Sequence, residues 1–494
     1  MPTDTTPLLS DQDSGQSTAV QVAKKPVAVK KQTPLPKMQL FAMLLVDFAE
    51  PVVATVIYPF VVSLVNETGV TGGDQAKTGY YAGIIESVFF ASEALTAFAW
   101  GRASDVIGRK TPLAFGMICL TAAIASFGLS NKYWPLVICR CIQGIMNGNI
   151  GITRSVITDM TDSTNIAQAF SFLPLTWGMG VVVGPMIGGT LSHPAEQWPS
   201  TLGKIAFLRQ YPYALPCFTA ALVPLAGFVV TMLFLKETLP SAVAAKQRQV
   251  NEGASPDDDD VAQPSSAHES QGAPPLRAIM TRPILILLLN YGILAGSDTA
   301  CTVLLTLMYP TKIPYGGLGL SSFAIGVIMS IVGAMIAVYG LSVYPWLMAR
   351  YTAKQVYRAC YAGYMASPIL FALMNFIARR RGVDAPVWIL IGVEIVTGAT
   401  AIQAYGAMLV LISQSTEAGS MGALNGLAQS VASFVRMFAP FVASSLFSLS
   451  QAHNLLGGRM VYLLVGLFIA AGCVAASMIE EVPKSDDEES EDVE

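Results

Sequence analysis

From Leu40 onward, apolar runs of about 20 residues alternate with short polar breaks, the length a helix needs to cross ~30 Å of hydrocarbon. The pattern predicts spans at 40–65, 79–100, 112–130, 134–153, 168–191 and 213–235. Six more follow at 283–308, 321–344, 355–377, 386–411, 424–448 and 459–479. Between the two sixes lies different material. Residues 237–282 hold Asp257-Asp258-Asp259-Asp260, serines and prolines and almost no large apolar side chain, so they are expected to form a disordered loop. Residues 1–38, with a lysine cluster, and the acidic 481–494 read as solvated tails. The expected fold class is an all-α membrane protein: twelve transmembrane helices in two six-helix bundles, 39–236 and 283–480.

Composition agrees with lipid as the solvent. Of 494 residues, 53% are apolar before 42 glycines are added, only 13% are charged, and the mean hydropathy is +0.53. Soluble domains carry about 25% charge. The net charge of −4 conceals segregation: of 33 acids, three precede Met38, seven lie between Glu237 and Glu269, and nine lie from Glu480 onward. With no global basic field, nucleic acid is excluded as a partner. Seven scattered cysteines and three histidines offer no metal-ligand spacing, so neither a metal site nor a cofactor is expected. The first residues lack an apolar region with a cleavage site, so no cleaved signal peptide is expected.

Lysine and arginine set the orientation. With both ends cytosolic, eighteen cations fall on the cytosolic side and nine on the other, while Arg140 and Arg436 lie within spans. Arg379, Arg380 and Arg381 run against the rule. The sequon Asn66-Glu67-Thr68 falls in the first external loop, a candidate glycosylation site. Asp4-Thr5-Thr6-Pro7-Leu8-Leu9 matches a short acidic dileucine signal, which points to sorting adaptors and leaves the plasma membrane and the vacuolar membrane both open.

Three stretches carry candidate chemistry. Gly101-Arg102-Ala103-Ser104-Asp105-Val106-Ile107-Gly108-Arg109-Lys110 reads as a tight turn between spans two and three. There Asp105 can accept from a helix N-terminus or from a nearby arginine, so the turn can lock one conformation, and Arg109 belongs to the same motif. In span four, Arg140 and Gln143 put a guanidinium and an amide in the apolar stretch, where a charge costs at least a few kcal/mol and is functional by default. In span five, Gly180, Gly184 and Gly188 share a helix face, Pro185 bends the helix, and Gly189 follows. The spacing of Gly326, Gly333 and Gly340 in span eight suits a partner face.

These three elements resemble the loop-2/3 motif, the fourth-helix arginine motif and the fifth-helix antiporter motif of the major facilitator superfamily, in its twelve-helix drug:proton antiporter branch. Tyr80-Tyr81-Ala82-Gly83, Trp177-Gly178-Met179-Gly180 through Gly189, and Tyr213-Ala214-Leu215-Pro216-Cys217 are similar to the zinc-induced-facilitator-like group of plants and fungi. The chain departs from the plant group in lacking an early cysteine-rich motif, and its central loop has one histidine. The resemblance implies the superfamily fold and antiport, with conformational and proton-coupling roles for the three motifs.

The other intramembrane charges are Asp47 and Glu50, Glu86 and Glu93, Asp298, Glu394 and Arg436. Spacings of three and seven put Asp47 with Glu50, and Glu86 with Glu93, on common faces. Six acids against two arginines leave a surplus of carboxylates that can exchange protons near neutral pH. The leading reading is a monomeric secondary transporter that moves a small organic molecule, cationic or neutral, out of the cytosol in exchange for protons. A uniporter or symporter for a nutrient or metal chelate, and a non-transporting receptor on the same fold, remain as alternatives. No nucleophile–base pair, metal cluster or phosphate loop points to an enzyme.

Overall fold

The computed structural model describes residues 33–162, 165–239, 280–415 and 421–480. The N-terminal tail with Leu8 and Leu9, most of the central loop and the acidic tail lie outside the described residues. Among the described residues the chain is helical, without a strand.

Twelve membrane-crossing units follow in chain order. They are α1 (Lys37–Thr55, continued beyond a break as Val61–Glu67), α2 (Thr78–Ile107), α3 (Lys110–Gly128) and α4 (Tyr133–Met146, then Asn149–Asp159). Next come α5 (Ile166–Leu191), α6 (Ala214–Phe234), α7 (Arg282–Met308) and α8 (Ser322–Val338, through a π turn into Tyr344–Arg350). The last are α9 (Ala353–Gly363, Ala366–Arg381), α10 (Ala385–Ala401, Ala404–Gln414), α11 (Met421–Ala452) and α12 (Met460–Ser477). Among the described residues nine of these are long and apolar enough to cross a bilayer, α2 is a tenth if its bent parts are one span, and the apolar part of α5 is shorter. The unit α4 crosses as two short pieces.

The breaks are where composition alone falls short. Pro51 inside α1 has no N–H to donate, and five residues later the helix opens into a turn over 56–60. There the Tyr58 N–H donates to the Thr55 carbonyl instead of to Ala54, which frees the Ala54 carbonyl. In α4 the Trp100 indole donates to the Ile145 carbonyl at 2.5 Å and fills the space beside Gly148, at the break. Contrary to the expected turn, Gly101–Ile107 continues α2 as helix, and the chain reverses at Gly108, whose φ of +104° suits glycine.

The two halves meet through α2 on α11 and α5 on α8. These contacts crowd toward the face that carries Asn66, called here the sequon face; the opposite face carries Arg102–Lys110. The Tyr80 N–H donates to the Ser448 hydroxyl at 2.9 Å, and the Ser330 hydroxyl donates to the Val182 carbonyl at 3.0 Å. Gly189 and Gly326 are so close that a Cβ on Gly189 would lie 2.6 Å from the Gly326 Cα. Toward the loop-motif face the packing thins: a Cβ on Gly178 would meet nothing within 4 Å, and one on Gly340 only Gln403 of α10. The molecule is therefore pinched shut on the sequon face.

Candidate functional site

The break in α1 builds the first polar centre. It turns Tyr58 so that its hydroxyl donates to Glu86 of α2 at 2.7 Å. Arg140 of α4, fully buried, sits 3.6 Å from the other Glu86 oxygen. Its guanidinium also donates to Gln143 Oε1 at 2.9 Å and to the freed Ala54 carbonyl at 3.3 Å, and it lies 4.4 Å from the Phe89 ring centre. A buried charge needs this much compensation. Beside the centre, Tyr58, Ala82, Gly83 and Glu86 face Thr302 and Thr306 of α7 across a cavity of about 20 Å³, room for one water.

The second centre is in the other half. Asp298 of α7 accepts from the Tyr364 hydroxyl at 3.1 Å and from the Tyr405 hydroxyl at 3.2 Å. Arg436 of α11 donates to that same Tyr405 oxygen at 3.1 Å, so a tyrosine bridges acid and base. Glu394 stands apart, accepting from Ser367 at 3.4 Å. A third group lies toward the loop-motif side of the N-terminal half. Glu50 is buried within electrostatic reach of Asp47 and Glu93, with Arg154 as their local cation. Glu93 also lies within electrostatic reach of Arg436, which links this group to the second centre across the halves. Among the described residues Asp47, Glu50 and Glu394 have no ion-pair partner within 4 Å. No cluster of histidine, cysteine and acid among the described residues could hold a metal.

The loop motif is built differently from the expectation. The arginine that Asp105 meets is Arg109, at 2.6 Å, and Arg109 reaches Asp159 at the end of α4 at 3.2 Å. The helix N-terminus is taken by another residue: Glu237, just past α6, accepts from the backbone N–H of Arg109 at 2.8 Å and of Lys110 at 3.2 Å. Burial opposes ionisation of Glu237, but the N–H groups of Arg109, Leu239, Lys110 and Thr238 outweigh it and hold the carboxyl below its ordinary value. The first residues assigned to a disordered loop are thus an ordered cap.

In α5 the glycine face serves α1, not α8. Side chains at Gly180, Gly184 and Gly188 would strike Pro51, Thr55 and the Val56 carbonyl within the same half, whereas Gly189 and Pro185 meet Gly326 of α8. Gly333 packs on Val182, and Gly340 faces α10 rather than α5. Asn66 lies in the last turn of α1 rather than in an open loop, and its side-chain Oδ1 accepts from the Thr78 hydroxyl at 2.5 Å. Nearby, His193 and Tyr213 both hold one Glu67 oxygen at 2.8 Å. The Glu67 contact outweighs partial burial and raises the pKa of His193. Sequence reasoning missed Tyr58, Tyr364, Tyr405 and Glu237, because nothing in their spacing shows which helix they face.

Against this geometry, the sequence profile described as Major Facilitator Superfamily matches residues 41–440. The chain is a member of that superfamily. It is 30% identical to "Major facilitator-type transporter psiT2" of Psilocybe cyanescens over 92% of each chain. It is 28% identical to "Protein ZINC INDUCED FACILITATOR 1" of Arabidopsis thaliana, over 84% of this chain and 86% of that one. It is also 28% identical to "Efflux pump azaK" of Aspergillus niger, over 94% and 92%. The solved D-xylose-proton symporter superposes with a TM-score of 0.65 at 15% identity, covering 90% of this chain and 98% of that one, a likeness of fold. Superfamily members are multi-pass membrane transporters of small molecules and not enzymes, and the twelve helices in two bundles are their fold.

Proposed function

We propose that the chain exports a small organic molecule, cationic or neutral, from the cytosol in exchange for protons, by rocking its two six-helix bundles about the polar centres between them. The carrying observation is the buried Tyr58–Glu86–Arg140 centre beside the cavity between the halves. A fixed guanidinium holding a carboxyl that also accepts from a phenol is a group that a proton or a substrate can release by competition. In this reading Asp298 with Arg436 supplies a second exchangeable acid. The unpaired Asp47, Glu50 and Glu394 supply negative potential that favours cations over anions. With the loop-motif face cytosolic, as the cation bias suggests, the closed sequon face makes this the state that admits substrate from the cytosol.

Relatives named as efflux pump and multidrug transporter support export. The test is flux in proteoliposomes holding the purified chain, with and without an imposed pH gradient, using organic amines, neutral compounds and organic anions. Amine flux that rises with the gradient and falls in Glu50→Gln and Asp298→Asn is expected. Flux indifferent to the gradient, or transport confined to anions, overturns the reading.

A further inference from the structure

The arginines that run against the orientation rule converge in the fold. Arg379, Arg380 and Arg381 close the last turn of α9, and Arg459 is the residue before α12. Two consecutive left-handed glycines, Gly457 and Gly458, with φ of +69° and +81°, let the connecting chain fold back beside Arg379. Both Arg380 and Arg459 lie over the Phe376 ring, at 4.3 and 5.1 Å. Among the described residues Arg379 donates to the neutral Gln451 amide alone, at 3.4 Å. Among the described residues none of the four has a carboxylate within 4 Å.

A helix C-terminus accounts for part of this, since cations there gain about 0.3–1 kcal/mol from the helix dipole. It does not account for Arg459. That side chain sits at the N-terminus of α12, where the dipole opposes it, and its Nε is buried with no hydrogen-bond partner. The buried Tyr462 hydroxyl, one turn into α12 and within electrostatic reach of Arg379, also lacks a partner. Donors without acceptors beside uncompensated positive charge describe a seat for an anion rich in oxygens. Leu373 on α9, Trp388 and Ile389 in the first turn of α10 and Leu463 in the first turn of α12, each within two helical turns of the same membrane face, are exposed. This end of the bundle therefore offers an anion seat on helices that also expose apolar side chains to the adjoining hydrocarbon.

We propose that this corner binds the phosphate headgroup of an anionic phospholipid in the leaflet on the sequon face. Arginine forks match phosphate oxygens in pairs, and the aromatic ring between two guanidiniums keeps them in register. The proposal is independent of the transported substrate and of the direction of transport.

The experiment is native mass spectrometry of the full chain released from bilayers of phosphatidylcholine containing phosphatidylglycerol. One retained phosphatidylglycerol per chain is expected. Each surface cation contributes about fivefold to anionic-lipid affinity, so Arg379→Gln with Arg380→Gln and Arg381→Gln should weaken retention about a hundredfold. The milder Arg459→Gln should weaken it about fivefold, and Lys354→Gln on the opposite face should leave it unchanged. Retention that survives the triple substitution, that falls equally with Lys354→Gln, or that excess inorganic phosphate abolishes by taking the same seat overturns the proposal.

Discussion

Adding a single methyl group at Gly189 isolates the contact that shuts the sequon face. A Cβ there would lie 2.6 Å from the Gly326 Cα and 2.6 Å from the Ser322 carbonyl, all of it backbone of α8 in the other half. Ordinary carbon contacts lie at about 3.5–4.0 Å, so α8 must retreat by about 1 Å in Gly189→Ala. Overpacking of this kind costs about 1–3 kcal/mol. Because the strain exists only while the halves touch here, it falls on one state of the equilibrium, which shifts roughly 5- to 150-fold toward opening on the sequon face. Spin labels at Glu196 and Phe323, exposed on opposite halves at that face, report the distance directly. The longer-distance population should grow in Gly189→Ala. Gly184→Ala is the control, since its clash is with Thr55 and the Val52 carbonyl of α1 in the same half; it should lower stability and leave the distance unchanged. An unchanged distance in Gly189→Ala, or a shift as large in Gly184→Ala, refutes the assignment of Gly189 to the gate.

Arg140→Ala should lower unfolding stability by about 3–5 kcal/mol, because it strands Glu86 in the interior, and Glu86→Gln in the same chain should recover part of that loss; thermal melting of the single and double variants checks both. Glu237→Ala should loosen the first turn of α3, costing about 1 kcal/mol as cap losses do, read as faster hydrogen exchange after Arg109. Since the Glu237 carboxyl is held below its ordinary value, its contribution is present above the ordinary carboxyl range and fades as pH falls through the lowered value; exchange of that turn insensitive to acid would contradict the cap. His193 behaves oppositely: its pKa is raised by Glu67, so its contribution is full below about 6.5 and is lost as pH rises through the raised value. Protease cutting between Ser192 and Tyr213 should therefore increase with pH, and Glu67→Gln should remove that dependence.

Much of this protein was legible along the chain because a bilayer imposes one rule: every backbone group in hydrocarbon must be satisfied, so apolar runs of span length become helices. That rule yields twelve helices, their grouping in sixes, and intramembrane charges at Arg140, Glu86, Asp298 and Arg436 as the places to look. The family motifs were legible for a related reason, since glycines at 180, 184 and 188 announce close helix packing whatever the partner. The partners themselves were not legible. Periodicity fixes which residues share a face but not where that face points, so the Gly180–Gly188 face was free to meet either α1 or α8, and only packing gave it to α1 and left Gly189 at the gate. Periodicity likewise does not show the turn that breaks α1 after Thr55, which frees the Ala54 carbonyl and aims Tyr58 at Glu86. Glu237 is the plainest instance: 128 residues separate it from Arg109, its neighbours in sequence are polar, and its role as a cap exists only because α6 ends beside the start of α3. One chain dictates its helices locally, through backbone hydrogen bonding in a medium without water, whereas the charges find one another only when helices distant in sequence are brought within a few ångströms.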